Sequence, residues 1–174
     1  FPYTTLFRSS QLEALKQVPG IEFIEFDSDL VLDEDRFREE VERVIRQEEE
    51  LLGRGVTVAV YTKRKLLSLD NDSPEAALVR SVKISDAVQS LVGRLKVTPA
   101  FVVAKGGITS SDVGTKALQV KKATVLGQIR PGIPVWKTGE ESRFPGIPYI
   151  IFPGNVGEAD TLKEAVGILM GGLQ

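Results

Sequence analysis

Apolar residues recur along this chain with two different periods, one typical of strands and one typical of helices. Short apolar runs predict strands at 21–26, 56–61, 101–104, 123–129, 135–136 and 149–152. Apolar positions at helical spacing predict helices over about 10–18, 34–52, 74–95, a short one ending near 118, and 158–170. Turn residues separate these segments, so strands and helices alternate along most of the chain.

The alternation predicts an α/β fold, specifically a three-layer α/β/α sandwich with a mixed, mainly parallel sheet. Short connections between residues 130 and 152 predict that part of the sheet is antiparallel. The continuous apolar run Val56–Tyr61 predicts a central strand that is buried on both faces.

The composition removes several classes of chemistry. The 174 residues contain no cysteine and no histidine, which excludes disulfides, thiolate metal sites and every histidine-dependent catalytic triad. A net charge of −2 without a basic run gives no sign of a nucleic-acid partner, and no apolar run is long enough to span a membrane. We therefore expect a cytoplasmic chain whose chemistry uses carboxylates, lysine, hydroxyls, backbone amides or a bound ion.

Residues 101–112 have the pattern of a strand that ends in an anion-binding turn. Four apolar residues lead into a lysine, then Gly106 and Gly107, then an isoleucine and three hydroxyl residues. Glycines let backbone N–H groups approach a ligand, and the helix start behind them adds unpaired donors. Phosphate suits such a turn, but an ordinary strand-to-helix turn with Ser110 or Ser111 as N-cap gives the same pattern.

The segment Phe152–Gly157 repeats this order of strand, glycine turn and helix. Ligands bind at the carboxyl ends of parallel strands, so the two turns can converge on one phosphorylated ligand. Asn155 either hydrogen-bonds a phosphate or a base, or occupies a left-handed turn position. Two ordinary strand turns remain the alternative.

Three polar or aromatic residues between the two turns are further candidates for ligand contacts. Two of them lie near the same rim of the predicted sheet as the glycine turns. Gln128 and Arg130 end a predicted strand near that rim, and Arg130 either contacts phosphate or is solvated. Trp136 either stacks on a base or fills the core. We favour a solvated Arg130 and a core Trp136.

Together these motifs resemble the four-carbon acid sugar kinases, specifically their C-terminal nucleotide-binding domain. The similarity covers about Ser10–Leu169, and the segments that carry it have the family's order and spacing: Ala104–Asp112, Val125–Gln128, Pro131–Pro134, Ser142–Gly146 and Pro153–Gly157. The resemblance implies a kinase that uses ATP to phosphorylate erythronate, threonate or a 3-oxo-tetronate. It also implies an active site between this domain and an N-terminal sugar-binding domain.

The resemblance also implies which residues contact the nucleotide. The family's Gly-Gly-x-Thr motif falls on Gly106, Gly107, Ile108 and Thr109. The family's second turn falls on Pro153–Gly157, with Gly154 as the strongest candidate for an ATP contact and Asn155 beside it. Many members have serine where this chain has Pro153, so one N–H donor is missing there.

Phosphoryl transfer requires positioning and charge neutralisation, which a domain without histidine can provide. We hypothesise that the N–H groups of residues 106–109 hold the ATP phosphates and that Thr109 or Ser110 helps to place Mg²⁺. Asp112 is either a ligand of a metal-bound water or a helix-stabilising carboxylate. Lys105 either neutralises phosphate charge or forms a salt bridge. No catalytic residue or protein metal ligand is identified, because the base is expected from the sugar-binding domain.

The first nine residues, Phe1–Ser9, resemble the translation of a common sequencing adapter, so we predict that they do not belong to the fold. The nucleotide-binding domain is then 10–174, without its sugar-binding domain, and this fragment is expected to be inactive alone. The alternative is a non-catalytic nucleotide- or phosphate-binding module. The sequence leaves open the tetronate used and whether the chains form a homo-oligomer.

Overall fold

The structure is a computed structural model that describes residues 10–63, 69 and 72–171. Residues 1–9, interpreted above as adapter-derived, lie outside the described residues. Residues 10–15 are helical and are labelled α1. The elements that follow are β1 (Ile21–Phe26), a 3₁₀-helix (Ser28–Leu32), α2 (Glu34–Gly53), β2 (Thr57–Thr62), α3 (Pro74–Gly93), β3 (Val102–Lys105), α4 (Gly107–Asp112), a π-helical turn (Val113–Ala117), β4 (Ala123–Arg130), β5 (Ile133–Thr138), β6 (Pro148–Phe152) and α5 (Thr161–Gly171).

Local signals set the starts of the two long helices where the sequence predicts them. The Asp33 carboxylate accepts the N–H of Arg36 at 3.1 Å and caps α2. The Ser73 hydroxyl accepts the N–H of Ala76 at 3.1 Å and caps α3, with Pro74 at the first helical position. Both caps satisfy N–H groups that a helix leaves unpaired in its first turn.

The strands form two hydrogen-bonded groups within the described residues. β1 and β2 pair in parallel, and the other four strands form a sheet in the order β3-β6-β5-β4. β3 and β6 are parallel, whereas β5 is antiparallel to both β6 and β4. β4 therefore runs in the same direction as β6 and β3, so only β5 runs against the others, and the predicted mixed, mainly parallel sheet is confirmed.

Helices cover both faces of the strands, which makes the predicted three-layer sandwich. Along β6, Ile150 and Phe152 enter a core shared with α1 and α5, whereas Tyr149 enters a core shared with the α4 region. β1 divides in the same way: Ile21 joins the α1–α5 core, and Phe26 joins a third core with α2 and α3. Because the α1–α5 core contains residues of both strand groups, the layers are continuous.

One sequence expectation about strand order is wrong. The apolar run at 56–61 predicts a central strand, but within the described residues β2 pairs only with β1. Its residues are half-buried rather than fully buried, with Val58 and Val60 against one core and Ala59 against the other. Helices on both faces therefore explain the apolar run without a partner strand on each side.

Candidate functional site

The two glycine turns lie side by side at one edge of the four-stranded sheet. In the parallel pair β3–β6, Lys105 is opposite Phe152, and each is the last residue of its strand. The backbone N–H of Gly106 donates to the carbonyl of Phe152 at 2.9 Å, which continues the ladder into the first turn. Gly106 and Pro153 therefore leave the sheet next to each other, as expected for turns at the carboxyl ends of neighbouring parallel strands.

The first turn passes directly into α4 through Gly106. Gly106 has φ 102°, a conformation that glycine adopts readily, and it is the N-cap of α4. The alternative interpretation, with Ser110 or Ser111 as N-cap, is wrong in its choice of cap, because the helix already begins at Gly107. Among the described residues, no side chain caps this helix. The backbone N–H groups of its first turn are therefore left without a side-chain acceptor at the cap.

The hydrogen bond from Gly106 to Phe152 corrects one part of the phosphate hypothesis. We expected the N–H groups of residues 106–109 to hold phosphates, but the Gly106 N–H already has the Phe152 carbonyl as its acceptor. Gly106 thus provides the backbone geometry, and the donors left to the hypothesis are those of 107–109. Gly107 and Ile108 are the first two helical residues, and the side chain of Ile108 lies outside what the structure describes.

Buried hydrogen bonds tie α4 to the sheet. The Ser110 hydroxyl donates to the Ala104 carbonyl at 2.9 Å, and Ser110 is only 4% exposed. The Tyr149 hydroxyl donates to the Ser110 carbonyl, and burial raises the pKa of the Tyr149 phenol, which keeps it protonated. The Ser110 hydroxyl is therefore engaged in the interior, whereas Thr109 is half-buried and Ser111 is exposed.

The second turn is held by its own side-chain contact. The Thr161 hydroxyl oxygen accepts the N–H of Glu158 at 2.7 Å, and α5 begins at Thr161 rather than near 158 as predicted. Gly157 has φ 86°, and an added Cβ would lie 2.7 Å from the Thr161 Cβ. Asn155 is exposed and does not have a positive φ, so the left-handed alternative for it is wrong.

Gln11 and Lys105 connect the two turns, a contact that the sequence pattern does not predict. Gln11 is 0% exposed, and its amide nitrogen donates to the carbonyls of Val156 at 3.4 Å and Glu158 at 3.0 Å. The Lys105 ammonium donates to the Gln11 amide oxygen and lies 5.5 Å from the Phe152 ring centroid. One sequence signal could have indicated that Gln11 is buried: it lies four positions before Leu15, and therefore on the same face of α1 as this buried residue.

Other residues considered in the sequence have structural partners. Arg130 is half-exposed and forms a surface ion pair with Glu164 of α5 at 3.0 Å, so the solvent-facing interpretation holds in part and the phosphate contact stays an untested alternative. The Gln128 side chain accepts the N–H of Gly132 at 3.3 Å within the β4–β5 hairpin. Asp112 lies 3.8 Å from the ammonium of Lys116.

Trp136 is only half-buried, so the expectation of a core tryptophan holds in part. It lines a cavity of about 290 Å³ beside α4, together with Ser111, Thr115 and Tyr149 among others. Its indole N–H is buried and has no hydrogen-bond partner among the residues that the structure describes. Base stacking by Trp136 stays an untested alternative.

Within residues 10–63, 69 and 72–171, no group of three or more acidic or histidine side chains is arranged to hold a metal ion. In the same part of the chain, no helix combines the length and the apolar character needed to cross a bilayer.

Comparison with solved structures finds the same fold in longer proteins. A domain of unknown function from Bordetella bronchiseptica, crystallised with citrate as a domain-swapped dimer, has 22% identity and a TM-score of 0.66; the match covers 92% of this chain and 37% of that one. A Haemophilus influenzae protein has 20% identity and a TM-score of 0.66, with 94% and 38% covered. The chain therefore spans little more than a third of their length. Comparison with curated proteins found no match.

The family comparison is more specific than the fold. The model of the nucleotide-binding C-terminal domain matches residues 8–162, which include both glycine turns and the strands that precede them. The chain therefore belongs to the family of nucleotide-binding C-terminal domains.

Proposed function

We propose that this domain binds ATP with Mg²⁺ and forms part of a kinase that phosphorylates a four-carbon acid sugar: erythronate, threonate or a 3-oxo-tetronate. The observation that carries the proposal is the contact between the two glycine turns, where the Gly106 N–H donates to Phe152 at the carboxyl edge of β3 and β6. Membership of the nucleotide-binding family supports a nucleotide as the ligand. The tetronate kinase motifs support the reaction.

In this proposal the phosphates lie against the first turn of α4. The N–H groups of Gly107, Ile108 and Thr109 are its donors, since no described side chain caps this helix and Gly106 donates elsewhere. Gly154 would let the second turn approach the nucleotide without a Cβ. The Asn155 amide, which is exposed, is proposed to contact a phosphate or the base. The carboxyl edge of a parallel strand pair favours such a site.

Mg²⁺ bound with the nucleotide would neutralise the charge that develops on the phosphates. The Thr109 hydroxyl is the group of the first turn that would stand beside this ion, because the Ser110 hydroxyl donates to Ala104. Hydroxyl oxygens and waters suit a hard cation that usually has few protein ligands. Asp112 is within reach of Lys116, so its proposed role is in supporting the helix rather than in contacting the ion directly.

The sugar-binding site and the catalytic base are proposed to come from a second domain that completes the kinase. The chain spans 37–38% of the matched structures, which leaves room for such a domain in a protein of their length. Binding of ATP without transfer to any tetronate in the completed protein would favour the alternative, a non-catalytic nucleotide-binding module.

The double variant Gly107→Ala and Thr109→Val tests the nucleotide site. In the proposal, the methyl group would crowd the phosphate against the N–H groups of the helix start, and the valine removes the hydroxyl. Loss of even one charge-assisted hydrogen bond, about 1.5–3 kcal/mol, predicts that calorimetry will show ATP with Mg²⁺ binding at least about tenfold more weakly.

Thr115→Val is the matched control, because the Thr115 side chain is exposed and donates only to the Ser111 carbonyl of its own helix at 2.8 Å. It should bind ATP as the unmodified chain does. Equal affinity in the double variant and in the control would refute the assignment of this turn to the phosphates.

A further inference from the structure

The interior of the domain contains one side-chain amide that connects three separate segments. Gln11 of α1 is completely buried, although glutamine is seldom found fully inside a protein. Its nitrogen donates to two carbonyls of the segment 156–158, and its oxygen accepts from the Lys105 ammonium at the end of β3. One amide thus connects α1, the end of β3 and the loop that leads into α5.

These contacts lie at the edge where the glycine turns meet. Lys105 immediately precedes Gly106, and Val156 belongs to the second turn. The Lys105 ammonium lies 5.5 Å from the centroid of the Phe152 ring, at the last pair of the β3–β6 ladder. Gln11 therefore holds a cation and the second turn in one fixed arrangement beside the first turn.

We propose that Gln11 is a positioning residue of the nucleotide site. Its amide fixes the Lys105 ammonium and the second glycine turn relative to each other, so that both act on the phosphates of one nucleotide. This inference rests on the proposed function, because it assigns the phosphates to the edge between the two turns. Gln11 acts through Lys105 and the turn backbone, and it does not contact the reacting atoms.

The chemistry of the amide explains why this position requires glutamine. Lys105 offers only donors and needs an acceptor, whereas the carbonyls of Val156 and Glu158 need donors. A primary amide supplies both. Glutamate would still accept from Lys105 but would place a carboxylate oxygen against two carbonyls. Methionine would remove both the acceptor that Gln11 offers to Lys105 and the donor that it offers to the two carbonyls.

The test compares ATP with AMP as competitors for a fluorescent ATP analogue in the 174-residue chain. The two ligands share the base and sugar and differ in phosphate charge. Gln11→Met and Lys105→Met should each weaken ATP binding about tenfold, the cost of losing a charge-assisted contact, and should weaken AMP binding by a smaller factor. The ATP-to-AMP affinity ratio should therefore fall. The double variant should lose little more than Lys105→Met alone.

The chain offers a matched control in a second lysine–glutamine pair. The Lys163 ammonium donates to the Gln17 amide oxygen at 3.1 Å on the exposed surface between the end of the α1 region and α5. Gln17→Met removes the same chemical contact away from the glycine turns, and it should leave both affinities unchanged. Gln11→Glu, which keeps the acceptor for Lys105, should retain more of the ATP-to-AMP ratio than Gln11→Met.

The outcomes separate the two claims. If the unmodified chain binds ATP but Gln11→Met lowers ATP and AMP affinity by the same factor, the residue is merely structural and the positioning role is wrong. If Gln11→Met does not fold by circular dichroism, Lys105→Met decides: an unchanged ATP-to-AMP ratio in that variant overturns the inference. If the unmodified chain binds neither ligand, the proposed function itself fails and the inference fails with it.

Discussion

Glu48 allows a prediction whose magnitude follows from the structure. It lies on α2 in the apolar stripe of Val41, Val44 and Ile45, and it is 5% exposed. Its Oε1 atom is buried without a hydrogen-bond partner among the described residues. Burial, with a smaller contribution from the Glu49 carboxylate, raises the pKa of Glu48 from 4.5 to about 8.

The raised pKa of Glu48 makes the free energy of unfolding depend on pH. Below about pH 4.5 both the folded and the unfolded chain hold the Glu48 proton, and no stability is lost. Between about pH 4.5 and 8 the unfolded chain releases a proton that the folded chain keeps, so the free energy of unfolding falls as the pH rises. At about 1.4 kcal/mol per pH unit, the full loss approaches about 5 kcal/mol, and it is complete above about pH 8.

Glu48→Gln keeps the shape of the side chain and removes the titration. The variant's free energy of unfolding relative to the unmodified chain should therefore rise by about 1.4 kcal/mol per pH unit between pH 5 and 7. Urea unfolding followed by circular dichroism at pH 5, 6, 7 and 8 measures this difference, and effects of other titrating groups cancel in the comparison.

Glu39→Gln makes the same chemical change at an exposed position of α2 and controls for the loss of one carboxylate. A constant difference between Glu48→Gln and the unmodified chain over this pH range would show that Glu48 is not held protonated in the interior. The reasoning from burial would then be refuted.

Two further substitutions test how the turns are built, each by urea unfolding. Gly157→Ala should destabilise the fold by about 1–3 kcal/mol, because an L side chain at φ 86° is strained and its Cβ would lie 2.7 Å from that of Thr161. Gly167→Ala on α5 is the control and should be neutral or stabilising, because its added Cβ meets nothing within 4 Å. Equal effects of the two substitutions would contradict this reasoning. Ser110→Ala removes the hydrogen bond to Ala104 and should cost about 1 kcal/mol or more, and no measurable loss would show that this bond does not anchor α4.

Features set by neighbouring residues could be predicted from the sequence. β1 runs over Ile21–Phe26 as its β-rich pattern predicts, and the caps Asp33 and Ser73 fix the starts of α2 and α3. These elements depend on side chains within three or four positions, so a local pattern contains the relevant physics. The approximate order of strands and helices, and with it the fold class, follows from the same signals.

Features set by distant residues could not be predicted in this way. Gln11 finds its carbonyl partners 145 and 147 residues along the chain, and no spacing rule identifies such contacts. The Gly106 N–H donates to the Phe152 carbonyl because β3 and β6 pair. The local sequence does not contain this pairing, so it predicts an unpaired donor at Gly106. The glycine turns themselves were visible as motifs, whereas the side chains that hold them together were not.

The central claim is that both glycine turns bind one nucleotide, and an NMR titration tests it most directly. ATP with Mg²⁺ is added to the ¹⁵N-labelled chain while the amide signals of Gly107, Thr109 and Gly154 are followed, with exposed Gly55 as a reference. We predict that the signals of both turns shift together with a single dissociation constant and that Gly55 does not shift. Shifts in neither turn, or separate constants for the two turns, would contradict a shared nucleotide site.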